Sequence, residues 1–536
     1  MRKLIVTIVV LSLTLSIGWA SQVAARPTLP EAGMAKKRSI DADVAGFDRQ
    51  HGPHSQIECT VAAGGAANVR LDCDDPFPNN EPDLEVNPVD PLHMIASSND
   101  FGTCCDQFYT TFDGGKTWVT GNMSRETPQK IGSDPVTVFD RKHGVAIHSS
   151  LSFSVSHAAG TEACDGDLVV SISRDGGRTW EIPVIVDDGE GCDLSKTQLF
   201  DDKEWIVTDN FASSPFYGRT YVTWSKFESH EGIYASSAIW EAHSDDGGDH
   251  WSKPQKISGF NPALCTFQHT GPAGECDQNQ FSVPTVRPDG TVFVAFENEQ
   301  NRALWESDQE FDDQYLVVRS SDGGVTWSAP RFVVGLEDGA RDYPRNVLGR
   351  QTLSGYQLRV NSAGNIVASP KTGQLFLVFS DNRNGTRDSD NPVTNTDVFV
   401  TSSWDGIAWT RPTRVDTSPS DQWFPWVEVN PVTGKIGVIY NDRSTADPRL
   451  HHVSLAEGMP GAFTKTAVTT AASHPTESRF FRAQTPGCEN CATFHGDYIA
   501  IAYGSDGRAN LAWTDMRDPN PIIPTRFDQF IYFARR

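Results

Sequence analysis

Four stretches of this chain repeat one another. Thr111–Trp118 reads TFDGGKTW, Ser173–Trp180 reads SRDGGRTW, Ser244–Trp251 reads SDDGGDHW and Ser320–Trp327 reads SSDGGVTW. A fifth, Ser403–Trp409, reads SWDGIAW and is one residue short. The copies stand about 60–80 residues apart, the spacing of a toroidal array of equivalent units rather than of unrelated domains. Each follows a β-rich run such as Tyr315–Arg319, and its chemistry is that of a hairpin. The Asp side chain accepts backbone N–H bonds in an Asx-type turn. The paired glycines supply positive φ at little steric cost. The hydroxyl residue bonds back across the turn, and the Trp opens the returning strand and buries a large ring. Nothing in this device requires a substrate.

A second repeat runs offset from the first: an extended segment, a turn, then a strongly apolar strand. It opens at Leu84–Asn99, Asp134–Ser152, Glu204–Phe227, Ser282–Asn298, Leu358–Arg383, Phe424–Arg443 and Asp497–Arg517. These read as the first two strands of successive units, with the Asp-Gly-Gly-Trp hairpin supplying strands three and four. The fold class is therefore all-β, a β-propeller of six to seven four-stranded blades. The last unit has two strands within 497–513 and a third at Gln529–Ala534 but no fourth; Ile57–Val61 or Asn68–Cys73 can fill that place, leaving no open edge. Helix-period patterns are nearly absent, so few helices are expected.

The pattern S-x-D-x-G-x-T-W resembles the Asp-box, or BNR repeat, of the sialidase superfamily. That resemblance implies a propeller; familiar sialidases have six blades, whereas the openings here number about seven. It also implies chemistry. Sialidases hold the substrate carboxylate with three arginines from different blades, and three second strands here end in Ser380-Asp381-Asn382-Arg383, Asn441-Asp442-Arg443 and Thr514-Asp515-Met516-Arg517. Arg383, Arg443 and Arg517 are thus the candidate substrate-binding residues, since a guanidinium pairs bidentately with a carboxylate. The alternative is that each arginine ties to an Asp of its own or a neighbouring blade. Sialidases further use a Tyr nucleophile, an activating Glu and an Asp acid/base; Tyr498 (with Tyr343 second), Glu297 and Asp134 are the candidates. No early Arg-Ile-Pro tripeptide, which carries one family arginine, is present. Two function classes follow: a glycan-binding exo-glycosidase of sialidase type, or a non-catalytic propeller acting as a binding or structural module in an extracellular or cell-surface assembly.

Composition narrows the partners. A formal charge of −24 over 536 residues argues against nucleic acid or an anionic membrane surface; a glycan or glycoconjugate, or an extracellular protein, is expected instead. Arg2 and Lys3 followed by the apolar Leu4–Trp19 read as a signal peptide over 1–25. Residues 26–55 read as a flexible arm and 56–536 as one propeller, secreted or at the cell surface, with no later membrane span. The ten cysteines suit an oxidising compartment. Cys59/Cys73, Cys164/Cys192 and Cys265/Cys276 are loop-closing pairs by spacing; Cys104-Cys105 allows a vicinal bridge or two separate partners. Cys488-Glu-Asn-Cys491 with His495 fits a loop disulfide better than a zinc site. No phosphate loop, zinc helix or nucleophile elbow occurs, so no cofactor or metal is expected, although acidic loops such as Asp381–Asp390 have oxygen ligands suited to calcium.

Overall fold

The computed structural model describes residues 56–536 apart from 74–76, 102–105, 128–129, 157–161, 194, 267–270, 299–311, 347–349, 479–493 and 522–523. The leader and arm expected over 1–55, the Cys104-Cys105 pair, and Cys488 and Cys491 lie outside the described residues. The regular secondary structure of the described residues is all strand apart from one 3-10 turn at Pro475–Glu477. No helix among the described residues is long and apolar enough to cross a membrane.

The strands form antiparallel sheets that follow chain order. Four sheets have four strands, one has five, and one has eight. The eight-stranded sheet divides at a parallel bridge between Phe200 and Gly166, so the described residues resolve into seven units of at least four strands. Their first strands are Asn79–Val86, Ile131–Asp140, Thr197–Thr208, Asn279–Val286, Ile366–Ala368, Gln422–Val429 and Ala500–Tyr503. Each of these packs against the next, and Ala500–Tyr503 packs back against Asn79–Val86.

Sheet faces alternate apolar residues, and each core lies between neighbouring units. Val283, Phe293, Leu377 and Phe399 fill the space between the fourth and fifth. Val378, Val400, Val427 and Tyr440 do so between the fifth and sixth. Leu84, Met94, Ala512 and Phe533 join the seventh to the first.

Of the two strands that sequence offered to complete the seventh unit, Val69–Arg70 takes the place, pairing antiparallel with Phe530–Arg535. The other, Gln56–Ala62, instead adds a fifth strand to the first unit beside Thr117–Asn122. Disulfides join Cys59 to Cys73, Cys164 to Cys192 and Cys265 to Cys276, with Cα atoms 6.3, 5.2 and 5.1 Å apart.

The Asp-Gly-Gly turns share one hydrogen-bond set. In the fourth, the Ser320 hydroxyl donates to Asp322 at 2.8 Å and accepts the Gly324 N–H at 2.8 Å. Asp322 also accepts the Thr326 N–H at 2.9 Å and the Thr326 hydroxyl at 2.6 Å. Thr111/Asp113, Ser173/Asp175 and Ser244/Asp246 repeat the pattern. Gly323 and Gly324 have φ of 72° and 90°, a region open to glycine. The shortened copy keeps the capping through Ser403 and Asp405.

Candidate functional site

Five of the seven first strands carry the same irregularity. Register against the second strand slips between Asn80 and Asp83, Ser133 and Val136, Asp202 and Trp205, Gln280 and Val283, and Trp423 and Trp426. In each slip one non-glycine residue has positive φ: Glu81 at 56°, Asp134 at 58°, Lys203 at 56°, Phe281 at 55° and Phe424 at 50°. A bulge re-aims a side chain out of the strand's alternation, and non-glycine residues held at positive φ persist only where their surroundings over-determine them. Because the first strands pack in succession, these residues gather at one end of the structure.

Lys203 is the centre of the group. Its Nζ lies 3.7 Å from Glu81 Oε1 and 3.9 Å from the centre of the Tyr498 ring. Glu81 is fully buried; its Oε1 accepts the Asp497 N–H at 2.8 Å and its Oε2 accepts Asn99 Nδ2 at 2.7 Å. Asn99 in turn accepts the Asp134 N–H at 2.8 Å, which links the first and second units. Asp497 receives Arg359 Nη2 at 2.6 Å and Asn361 Nδ2 at 2.9 Å. The Arg359 guanidinium stands 4.4 Å over the Phe494 ring.

Burial dominates the electrostatics. It pushes the carboxyls of Glu81, Asp202 and Glu204 well above the ordinary range, with Asp134 adding to each shift. Burial opposes the Lys203 charge, but Glu81, Asp134, Asp497 and Asp202 outweigh it and hold the ammonium above the usual lysine value. Burial, then Glu81 and Asp134, push the Tyr498 phenol far up.

Beside this polar group the wall is aromatic. Trp205 and Trp426 rings approach to 4.5 Å, and Trp205 meets Tyr498 edge-on at 5.2 Å. With Lys203, Phe281 and Asp497 they line a pocket of about 240 Å³, counting space open to solvent. The pocket's surface is mostly apolar, and the carboxyls of Glu81, Asp202 and Glu204 lie buried behind it.

Of the residues singled out from sequence, Tyr498 and Asp134 lie in this group. Glu297 lies elsewhere: its carboxylate clusters with those of Asp313 and Asp338, all buried, and it pairs in register with Tyr315. Tyr343 is a core residue whose hydroxyl accepts from Thr396 at 3.2 Å. The three arginines are each engaged with an aspartate. Arg383 Nε donates to Asp381 at 2.8 Å, Arg443 Nη1 to Asp421 at 2.6 Å and Arg517 Nη2 to Asp515 at 2.6 Å. Each also stacks on an aromatic ring, of Phe399, Tyr356 and Tyr532 respectively.

Carboxylate groups with metal-ligand spacing are Asp165/Asp167/Asp188, Glu297/Asp313/Asp338 and Asp312/Glu337/Asp342. In the first, Lys130 contacts Asp165 and Asp167. In the acidic loop 381–390, Arg383 holds Asp381, and Asp388 caps the N–H groups of Asp390 and Asn391.

Glu81, Lys203 and Arg359 escape a reading of the motifs. A signal for the first exists in the X-Pro pairs Glu81-Pro82, Asp134-Pro135 and Phe424-Pro425. Proline inside a strand marks a bulge, and the three pairs fall at equivalent places in their repeats.

No protein-family model matches this chain, and no curated protein matches its sequence. Solved structures resemble it partially. A protein of unknown function from Dyadobacter fermentans DSM 18053 aligns with a TM-score of 0.45 and 10% identity, covering 77% of this chain and 96% of that one. The NanB sialidase of Streptococcus pneumoniae aligns at 0.40 and 9%, covering 91% and 95%. A leech intramolecular trans-sialidase aligns at 0.39 and 13%, covering 77% and 70%.

Proposed function

We propose that this chain is an exported, seven-bladed Asp-box β-propeller that recognises glycans at the pocket beside Lys203 and Tyr498. The seven consecutive units, their successive first-strand contacts and the five capped Asp turns support the propeller. The apolar run near the start of the chain and the three disulfides support export. The observation that carries the glycan reading is the pocket itself: Trp205, Trp426 and Tyr498 make an aromatic wall against a buried cluster of carboxyls, ammonium and guanidinium. Sugars present this same pairing of an apolar ring face with a rim of hydroxyls.

A second reading, glycoside hydrolysis, is favoured by one specific feature. Glu204 and Glu81, whose carboxyls burial keeps protonated to unusually high pH, sit with Asp134 and the Tyr498 phenol. Hydrolysis of a glycosidic bond needs one group that donates a proton and another that stabilises or attacks the sugar centre. Both readings are tested together by binding of the purified protein to a glycan array and by fluorophore release from a panel of aryl glycosides, sialoside included. Binding with turnover that Asp134→Asn abolishes supports the enzyme. Binding without turnover supports the recognition module. Absence of both leaves the propeller as a structural part and removes the glycan reading.

A further inference from the structure

We propose that the Cys59–Cys73 disulfide is a redox latch on the Gln56–Ala62 strand: a dithiol that reduces it lets this strand leave the first unit and bares the Thr117–Asn122 edge.

Gln56–Ala62 is surplus to its sheet. The first unit already has four strands in Asn79–Val86, Met94–Asp100, Gln107–Thr111 and Thr117–Asn122. Gln56–Ala62 lies outside the last of these as a fifth. It is thinly held there. Ile57, Glu58, Thr60 and Ala62 are exposed, and Val61 packs half-buried against the core that joins the seventh unit to the first. The ladder to Thr117–Asn122 also slips between Ile57 and Cys59. A strand with this little burial gains little against the entropy of ordering it.

The other end of the disulfide is firm. Cys73 follows the closing strand Val69–Arg70 of the seventh unit. Leu71 is fully buried, and its N–H donates to the Ile531 carbonyl at 2.8 Å. Buried Asp72 accepts the Ile531 N–H at 2.6 Å and the Tyr109 hydroxyl at 2.8 Å. The Arg70 guanidinium lies 3.5 Å over the Phe530 ring. The disulfide thus fastens a loose strand to a fixed one, and when it opens the loose strand gives.

It is also the described disulfide that a thiol reaches best. Cys59 and Cys73 are both half-buried, whereas Cys164 is 1% exposed and Cys265 and Cys276 are 1% and 0% exposed. Thiol–disulfide exchange requires a thiolate to reach a bridge sulfur. One thiolate of the dithiol attacks, forming a mixed disulfide and expelling one cysteine as thiolate. The second thiol then displaces the other cysteine. The dithiol is oxidised by two electrons to its own disulfide, and Cys59 and Cys73 take up its two protons as thiols. With Gln56–Ala62 gone, Thr117–Asn122 presents unpaired N–H and C=O groups, a template on which another strand can add.

The test is a titration of the folded, purified protein with dithiothreitol, with iodoacetamide trapping, peptide mapping and amide hydrogen exchange at each step. Alkylation of Cys59 and Cys73 before Cys164, Cys192, Cys265 and Cys276 is expected. With it, Thr117–Asn122 amides should exchange about tenfold faster or more while Phe530–Arg535 keeps its protection. The double variant Cys59→Ser/Cys73→Ser should show the same exchange without reductant. Earlier opening of Cys164–Cys192 or Cys265–Cys276, or no alkylation of Cys59 and Cys73 in the folded protein, overturns the proposal. So does unchanged exchange at Thr117–Asn122 after reduction. Loss of protection at Phe530–Arg535 as well overturns it in favour of a bridge that guards ring closure itself. Should the double variant fail to fold, the titration of the unmodified protein decides alone.

Discussion

The Lys203 ammonium stands over the face of the Tyr498 ring, 3.9 Å from its centre, a cation–π contact between the third and seventh units. The ring makes the contact; among the described residues the phenol makes only a 3.4 Å bond to the Pro135 carbonyl. Tyr498→Phe is therefore expected to cost about 1 kcal/mol or less and to leave glycan binding intact. If the protein hydrolyses its ligand through this phenol, the same substitution removes turnover. Tyr498→Ala removes the ring and is expected to cost about 3–5 kcal/mol with loss of binding. Denaturant midpoints and array binding on the two variants check this.

Arg443 joins distant parts of the chain. It donates to Asp421, to the Pro448 carbonyl at 2.7 Å and to the Ser354 carbonyl at 2.7 Å, and it stacks on Tyr356. Arg443→Ala strands a buried aspartate and is expected to destabilise by about 3 kcal/mol, seen as a lower Tm, without altering ligand affinity. Lost binding at an unchanged Tm would instead return this arginine to the ligand site.

Two glycines separate conformational strain from crowding. Gly115 and Gly461 share a φ of 85°. A Cβ on Gly115 would stand 2.4 Å from Phe533 of the seventh unit, whereas one on Gly461 meets nothing within 4 Å. Gly461→Ala is expected to cost about 1 kcal/mol from φ alone. Gly115→Ala carries overpacking as well, for a total of about 3 kcal/mol. Urea unfolding of both variants measures the difference, and equal midpoints would contradict the contact.

Stability should rise on mild acidification. Burial raises Asp83 to about 7 and Asp72 to about 6. The folded state thus binds these protons more tightly than the unfolded chain does. Their contribution is fully present below the unfolded carboxylate range, near 4, and is lost as pH climbs through the folded values. Tm is expected to be higher at pH 5 than at pH 8, and Asp83→Asn to flatten part of that slope while keeping an acceptor for the Thr137 N–H at 2.7 Å. Below about pH 4 the trend reverses. Asp322 is held low by the hydroxyl and N–H of Thr326, so protonating it loosens its turn.

The parts of the fold legible in sequence are those that local chemistry decides. Asp322, Gly323 and Gly324 close their turn with partners a few residues away, so the pattern and the geometry coincide. The three disulfides span separations of only 14, 28 and 11 residues. The partner of Phe530–Arg535 lies at the far end of the chain, and two segments there have equal claims until the sheet is seen. The pocket is legible in part. Tyr498 and Asp134 can be named from their motifs. Lys203 cannot, because in the run Asp201-Asp202-Lys203-Glu204, buried throughout, only the bulge decides which charge lines the pocket. Arg359 reaches Asp497 across 138 residues, a pairing that no local pattern carries.

The bond from the Ile531 N–H to Asp72, at 2.6 Å, spans 459 positions, and the Val69–Arg70 strand beside it can pair only once Phe530–Arg535 exists. During synthesis the Val69–Arg70 strand must therefore wait, with its neighbour's face bare, until the ribosome has delivered Phe530–Arg535. Loop closure over such a distance is slow. The clasp therefore works as a late check: a chain cut short anywhere before residue 530 keeps an unpaired strand edge that proteases and other strands can seize.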